Sequence, residues 1–416
     1  MKIIGLTCHY TGNHDSSAAL LVDGKVVFAE SEERISRVKH DKQFPIKSIK
    51  HATTAGSLKL KDIDYFVSAS PPTNSVKLFL NYLNGLSYTT PKEFITWIFD
   101  RIFFTMTGTH ELAKSKLPKD YLEAKLPVDK LQFVSHYLAH AETAYTFSDM
   151  SESLVVAWDG YGVSEDGTPL CGAIYKGSDG TLTLLEEISF LASLALYYGA
   201  VTMALGFKLN DGEGKTMGLA AYGKESPAVK EVKSIFPYFS KTKWQPRSNW
   251  LEINGVSRPE YFKKTKTYKK IKSLIDQYGR EQIAYATQSI FEQEGENFFR
   301  YLVKKYKQRN VTVAGGLFLN VKFNTRLLKK KIVDNLFVYP NPGDGGVAIG
   351  AAIALYKRLG FERKIEEMRS TALGCEFDDK EILKSIKSFD RKIKFIKLKN
   401  SLPKIVAKEI NQGTVL

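Results

Sequence analysis

A strand, a polar glycine-bearing loop and a hairpin occur twice in this chain, and that repeat narrows its possible folds more than any other feature. The first copy runs from "KIIGLT" through "TGNHDSS" to "AALLVDGKVVFAESEE". The second runs from "SLVVAW" through "DGYGVSEDGTP" to "LCGAIYKGSDGTLTLLEE". Each hairpin pivots on Asp-Gly, with Asp23-Gly24 in the first, a dipeptide that accepts the positive φ angles of a tight β-turn. Both copies end in acidic residues and lead into helical stretches. One such unit is ordinary; two predict a duplicated α/β lobe.

Further strand-to-helix turns follow. "VTVAGGLFLNVKFNTRLLKK" reads as a strand, a Gly-Gly turn and a helix. "LFVYPNPGDGGVAIGAAIALYKRLG" reads as a strand, a Pro/Gly loop and a helix of small apolar residues ended by Gly360. Glycine at such turns lets backbone N–H groups approach phosphate oxygens, although helix–sheet packing demands glycine too. Two in succession, with "TGNHDSS" and "DGYG" after earlier strands, predict a nucleotide cleft between two lobes. Past about residue 365 the sequence becomes highly charged. The expected organisation is therefore a first lobe over 1–150, a second over 151–365, and a linker opening another module over 366–416.

The 416 residues, 43% of them hydrophobic, are enough for two or three cores and exclude wholesale disorder. A formal net charge of +15 favours anionic partners such as nucleotides, phosphorylated substrates or nucleic acid. The lysines are spread along the chain, so solvated helix faces account for them equally well. Three distant cysteines with no C-x-x-C spacing support neither a disulfide framework nor a cysteine zinc site. "MKIIGLTCHY" reads as a strand rather than a signal peptide. The uncharged run at 188–207, "ISFLASLALYYGAVTMALGF", is long enough to span a bilayer, but its hydroxyls and glycines predict a buried helix or helix pair. The expectation is a cytoplasmic protein with no membrane segment.

Within "VSHYLAHAETAYTFSD", His136 and His140 stand one helical turn apart, next to Glu142. On a helix both imidazoles share a face and reach a single ion. An isolated H-x-x-x-H is more often a solvated surface pair, so the other ligands decide. Asp159 follows the apolar strand "VVAW", where it is expected at the strand's C-terminal tip, and Asp344 occupies the loop "NPGDGG". Two imidazoles and two carboxylates suit iron(II), manganese(II) or zinc better than magnesium alone.

Several separated motifs together resemble the O-carbamoyltransferases of the nodulation, cephamycin and tobramycin type, the NodU/CmcH family. They are "NHDSSAALLVDGKVVFAESEERISRVKHDKQFP", "SHYLAHAETAYTFS", "VVAWDGYGVSEDGT", "LNDGEGKTMGLAAYG", "VAGGLFLNVKFN" and "NPGDGGVAIGAA". The resemblance implies an actin-like, two-lobed α/β fold of duplicated ribonuclease H-like lobes, shared with sugar kinases and heat-shock ATPases. It also implies a metal, iron(II) foremost, bound by His136, His140, Asp159 and Asp344. ATP with magnesium and carbamoyl phosphate would supply carbamoyl-adenylate, from which the carbamoyl group passes to a hydroxyl on a small-molecule acceptor.

In that scheme His14 is the base that deprotonates the acceptor, and a neutral imidazole suits the task near pH 7. Lys39 and Arg34 would steady negative charge. Asp15, Gly160 and Lys215, the last read as lying in a loop, would contact nucleotide; Gly315, Gly316 and Asn320 would approach its adenosine, and Gly345 and Gly346 its phosphates. Arg37 and His40 read as solvated loop residues. Family members continue into a YrdC-like domain with a "GPRALG"-type motif that makes the adenylate. This sequence stops about where that domain begins, which predicts the transfer half of the reaction, with a YrdC-like domain or subunit supplying the rest. Two alternatives stand beside this reading. One is a tRNA threonylcarbamoyl transferase, which would use the positive charge; the other is a non-catalytic actin-like nucleotide-binding partner.

Overall fold

The computed structural model describes residues 1–8, 15–71, 77, 80, 121, 123–361, 365–389, 395 and 401–415. His14, the expected base, lies outside the described residues, as does most of "TGNHDSS". The chain folds as one unit from Met1 to Gly374 and a second from Cys375 to Leu416.

Two five-stranded sheets organise the larger unit. The first contains β1 (Lys2–Thr7), β2 (Ser17–Val22), β3 (Lys25–Ser31), β4 (Tyr65–Ser68) and β5 (Leu131–Phe133), in the order β3-β2-β1-β4-β5. The second contains β6 (Glu152–Val163), β7 (Pro169–Ser178), β8 (Thr181–Ser189), β11 (Asn310–Ala314) and β12 (Asn335–Val338), in the order β8-β7-β6-β11-β12. A separate ribbon pairs β9 (Tyr238–Ser240) with β10 (Lys243–Gln245). In both large sheets an antiparallel three-strand meander is extended by two parallel strands. The duplicated order is that of two ribonuclease H-like lobes, the actin-like arrangement. Both hairpins turn as expected: Asp23 and Gly24 have φ of 47° and 83°, and Asp179 and Gly180 have φ of 51° and 77°. Positive φ at both central residues matches the right-handed twist of the flanking strands.

Helices α1 (Ile46–Ala55), α2 (His136–Thr146), α3 (Leu194–Ala204), α4 (Glu213–Leu219), α5 (Arg280–Tyr306), α6 (Val321–Lys329) and α7 (Val347–Arg358) pack around these sheets. The covering helices are exchanged. Helix α2 follows the first sheet yet packs on the second, where Tyr137, Ala141 and Ala144 join Val155, Ala157 and Ala314. Helix α7 follows the second sheet yet packs on the first, where Ala348, Ala351 and Ile353 join Ile3, Ala19 and Val67. Helix α5 closes the other face of the second sheet, with Phe298 and Phe299 against Val156, Trp158 and Val313.

The exchanged helices meet almost backbone to backbone. A Cβ built on Gly350 of α7 would stand 1.8 Å from the carbonyl oxygen of Ala139 in α2, and one on Gly5 of β1 would stand 1.9 Å from the carbonyl oxygen of Ala348. Only glycine fits at such contacts. The uncharged run at 188–207 forms a 3₁₀ turn at Phe190–Ala192 and the buried helix α3, as its hydroxyls and glycines suggested. Among the described residues no helix is long and apolar enough to cross a membrane. The smaller unit contains α8 (Asp379–Ser388), opened by a capping box between Asp378 and Glu381, and α9 (Leu402–Asn411).

Candidate metal centre and interlobe cleft

Strand period dictates where Asp159 points. Leu154, Val156 and Trp158 belong to the core beneath α5, whereas Val155 and Ala157 pack against α2. Successive side chains alternate faces, so the odd series carries Asp159 to the α2 side. The reading of "DGYG" as a loop is corrected: β6 continues to Val163, with a shift in register between Trp158 and Gly162 opposite β7. That irregularity is a β-bulge, which re-aims a side chain without ending the strand.

Helix α2 begins at His136, with the Ser135 hydroxyl accepting a hydrogen bond from the Leu138 amide at 3.4 Å. Asp344 opens the 3₁₀ turn Asp344–Gly346 that leads into α7. The first turns of the two exchanged helices thus meet the bulge of β6. His136 Nε2 lies 3.7 Å from Asp159 Oδ2 and 3.6 Å from Asp344 Oδ1; His140 Nε2 lies 3.3 and 3.6 Å from the same two oxygens. The ligand atoms of all four residues fall within 4.8 Å of one another. Bonds of about 2.1 Å to a central cation place neighbouring ligand atoms roughly 3.0–3.4 Å apart, close to this spacing.

The unused polar atoms support the same fit. His136 Nε2, His140 Nε2 and Asp344 Oδ1 are buried without a hydrogen-bond partner among the described residues, a costly arrangement that a cation in their midst relieves. The donor set fits a divalent transition metal. Charge within the cluster is already strongly felt. Burial opposes protonation of His140, but Asp159 and Asp344 outweigh it and raise its pKa to about 9. Burial likewise opposes ionisation of Asp159, but both imidazoles hold its carboxyl well below the usual range. Glu142 is not part of the set: it accepts from Lys357 Nζ at 2.6 Å and from the Thr146 hydroxyl at 2.9 Å.

Gly162 makes room for the first histidine. A Cβ there would lie 2.5 Å from His136 Cδ2 and 3.1 Å from Tyr137 Cε2. Gly162→Ala, tolerable to a strand, is therefore expected to tilt the His136 ring and lower metal affinity roughly tenfold, in the range of changes that disturb ligand orientation. Titration with zinc or iron(II) under argon checks this; unchanged affinity would separate Gly162 from the centre.

The glycine turns adjoin the same strand. Gly315, at φ 112°, would direct a Cβ to 2.1 Å from the Trp158 carbonyl oxygen, and Gly316 would direct one to 2.7 Å from Asp159 Oδ1. The Gly315 amide donates to the Pro342 carbonyl at 2.6 Å, joining the Gly-Gly turn to the loop before Asp344. Gly346 is held against the Asn341 carbonyl, its Cβ position 2.2 Å away, while Gly345 faces Asn341 and Ser31. Gly160 has nothing nearer to its Cβ position than Ala195, 3.8 Å away. Asn320 caps α6, accepting from the Phe323 amide at 3.1 Å.

A second cluster forms where the "RVKHD" loop meets the segment before α4. Lys39 pairs with Asp211; His40 Nδ1 is 2.7 Å from Asp15 Oδ1, and His40 Nε2 is 3.5 Å from Asp211 Oδ1. Glu33 accepts the His40 amide at 2.8 Å. Lys39, foremost, and Lys215 hold the Asp211 carboxyl below its ordinary range. Lys215 stands on helix α4, not in the expected loop, because Glu213–Leu219 is helical. Arg34 is exposed, its Nε 3.7 Å from Glu33. His40, read from sequence as a solvated residue, instead stands between carboxylates from the two lobes. Asp211 was missed altogether; its place in "LNDGEGKTMG", four residues before Lys215, was the available signal.

Comparison with known proteins agrees with the motifs. The family profile for the carbamoyltransferase N-terminus matches residues 2–353. An uncharacterized protein of Synechocystis is 30% identical over 398 residues, covering 91% of this chain and 62% of that protein. Nodulation protein NolNO of Sinorhizobium fredii is 26% identical over 373 residues, covering 87% of this chain and 49% of that protein. The chain thus spans less than two thirds of the length of either relative. Among solved structures, full-length HypF in the phosphate- and nucleotide-bound form is similar with TM-score 0.47 and 13% identity, covering 86% of this chain and 56% of that one.

Proposed function

The chain belongs to the carbamoyltransferase family, and from that premise we propose that it transfers a carbamoyl group from carbamoyl-adenylate to a hydroxyl on a small-molecule acceptor. The observation that carries the reading is the set His136, His140, Asp159 and Asp344, all buried but Asp159, assembled where both lobes' exchanged helices begin. A divalent metal held by these residues, iron(II) foremost by the family resemblance, would act there as a Lewis acid toward the carbamoyl or phosphate oxygens. Gly315, Gly316, Gly345 and Gly346 line the turns proposed to admit the nucleotide. Lys39 and Lys215 bring positive charge to Asp211 and fit a role in holding the anionic donor. His14, by family resemblance, takes the acceptor proton as the new C–O bond forms; the C–O bond to the phosphate breaks, and its electron pair leaves with AMP.

The test supplies carbamoyl-adenylate with a panel of hydroxyl acceptors and, in a parallel arm, threonylcarbamoyl-adenylate with tRNA. Acceptor-dependent AMP release is expected with a small molecule. His14→Asn is expected to abolish it while metal and nucleotide still bind, because an amide is no base near neutral pH. Modification of tRNA alone would favour threonylcarbamoyl transfer. Nucleotide binding without transfer to any acceptor would leave a non-catalytic partner.

A further inference from the structure

A closed polar network ties the Gly-Gly turn to the long helix α5. Gln288, on α5, uses its whole hydrogen-bonding capacity. Its Nε2 donates to Asn320 Oδ1 at 3.0 Å and to Glu292 Oε1 at 2.7 Å. Its Oε1 accepts from Asn320 Nδ2 at 2.9 Å and from the Tyr198 hydroxyl at 2.9 Å. Gln288 is 3% exposed, so its own amide is satisfied almost wholly out of water, where lost partners are costly and satisfied networks rigid. Beyond it, Glu292 accepts from Arg326 at 2.7 Å, and Glu296 accepts from Arg326 and, at 2.9 Å, from Lys330. Both cations lie on or just after α6, so the network ties Asn320, which caps α6, and the last turn of α6 to α5.

Asn320 therefore has little left to offer a ligand. Its oxygen already serves Gln288 and the Phe323 amide, and its nitrogen serves Gln288. The turn it ends, Gly316–Leu319, presses on Asp159 at Gly316. We infer that Gln288 is a positioning residue for nucleotide binding: through Asn320 it fixes the Gly315–Leu319 turn in the conformation that receives the nucleotide. The inference rests on the proposed placement of nucleotide at that turn.

Calorimetry with AMP and a non-hydrolysable ATP analogue tests it, together with metal content and melting temperature. Gln288→Leu keeps the volume and removes all four hydrogen bonds; nucleotide affinity is expected to fall tenfold or more. Metal content is expected to fall far less than nucleotide affinity, because the network holds no metal ligand itself and reaches Asp159 only through the turn at Gly316. Asn320→Asp keeps the acceptor for the Phe323 amide but loses the donor to Gln288, and is expected to weaken nucleotide likewise. It also carries the test should Gln288→Leu fail to fold. Tyr198→Phe removes one partner of Gln288 and leaves the amide pair; affinity within twofold of wild type is expected. Unchanged affinity in Gln288→Leu or Asn320→Asp would overturn the inference, as would an equal loss in Tyr198→Phe, which would signal general destabilisation. Failure of the wild-type chain to bind either nucleotide would instead remove the nucleotide placement, and the inference with it.

Discussion

Purified protein is expected to carry close to one equivalent of a divalent transition metal, and His140→Ala to lose it. The four ligands approach one another from three elements: α2, the bulge of β6 and the turn before α7. Alanine at 140 leaves His136 with two carboxylates, an incomplete sphere that water must finish. Affinity should fall roughly a hundredfold or more, beyond the effect of disturbing a ligand's orientation. The variant should still fold, because His140 Nε2 has no hydrogen-bond partner among the described residues to lose. Elemental analysis before and after dialysis against a mild chelator is the measurement. Equal, substoichiometric metal in wild type and variant would mean that the cluster is a buried polar pocket rather than a metal centre.

Much of this arrangement was legible in the sequence, because it is written in local rules. Asp-Gly between alternating apolar runs specifies a hairpin whichever protein contains it, and both hairpins formed. The repeated unit implied the repeated sheet order. His136 and His140 were found because helix period needs only the chain itself. Asp159 and Asp344 stand out as acidic residues at expected strand ends; the structure brings the four side chains together, although β6 runs on past Asp159 to Val163.

What was misread depended on partners distant in sequence. "DGYG" has turn composition, yet pairing with β7 carries it on as strand, with Gly162 opposite Leu170. The glycines at 315 and 346 suggest ligand contact, but each is also demanded by a backbone carbonyl close by, from Trp158 and Asn341. Nothing local says that Asp211 will meet Lys39 and His40, since that contact exists only once the two lobes face each other. Nor does amphipathic period reveal which sheet a helix covers. Helices α2 and α7 are buried nearly all round, so their patterns carry little directional information.

That exchange of helices makes Gly350 the residue whose change should cost the most. Gly350→Ala places a methyl where the Ala139 carbonyl oxygen already stands, 1.8 Å from the Cβ position, with the Thr143 methyl 3.0 Å away. Neither neighbour in the clash is a flexible side-chain end, so the helices must separate along their whole contact. Overpacking a core typically costs about 1–3 kcal/mol, and a backbone clash belongs at or above the top of that range. Thermal unfolding should show a clear drop in melting temperature. Metal should be lost as well, because α2 and α7 carry three of the four ligands at or beside their first turns. Gly214→Ala supplies the contrast: on α4, with nothing within 4 Å of its Cβ position, it should be neutral or stabilise by up to about 1 kcal/mol through helix propensity. If Gly350→Ala melted like wild type and kept its metal, contact between the exchanged helices would not be what holds the centre together, and the ligands would have to be fixed by β6 and the glycine turns alone.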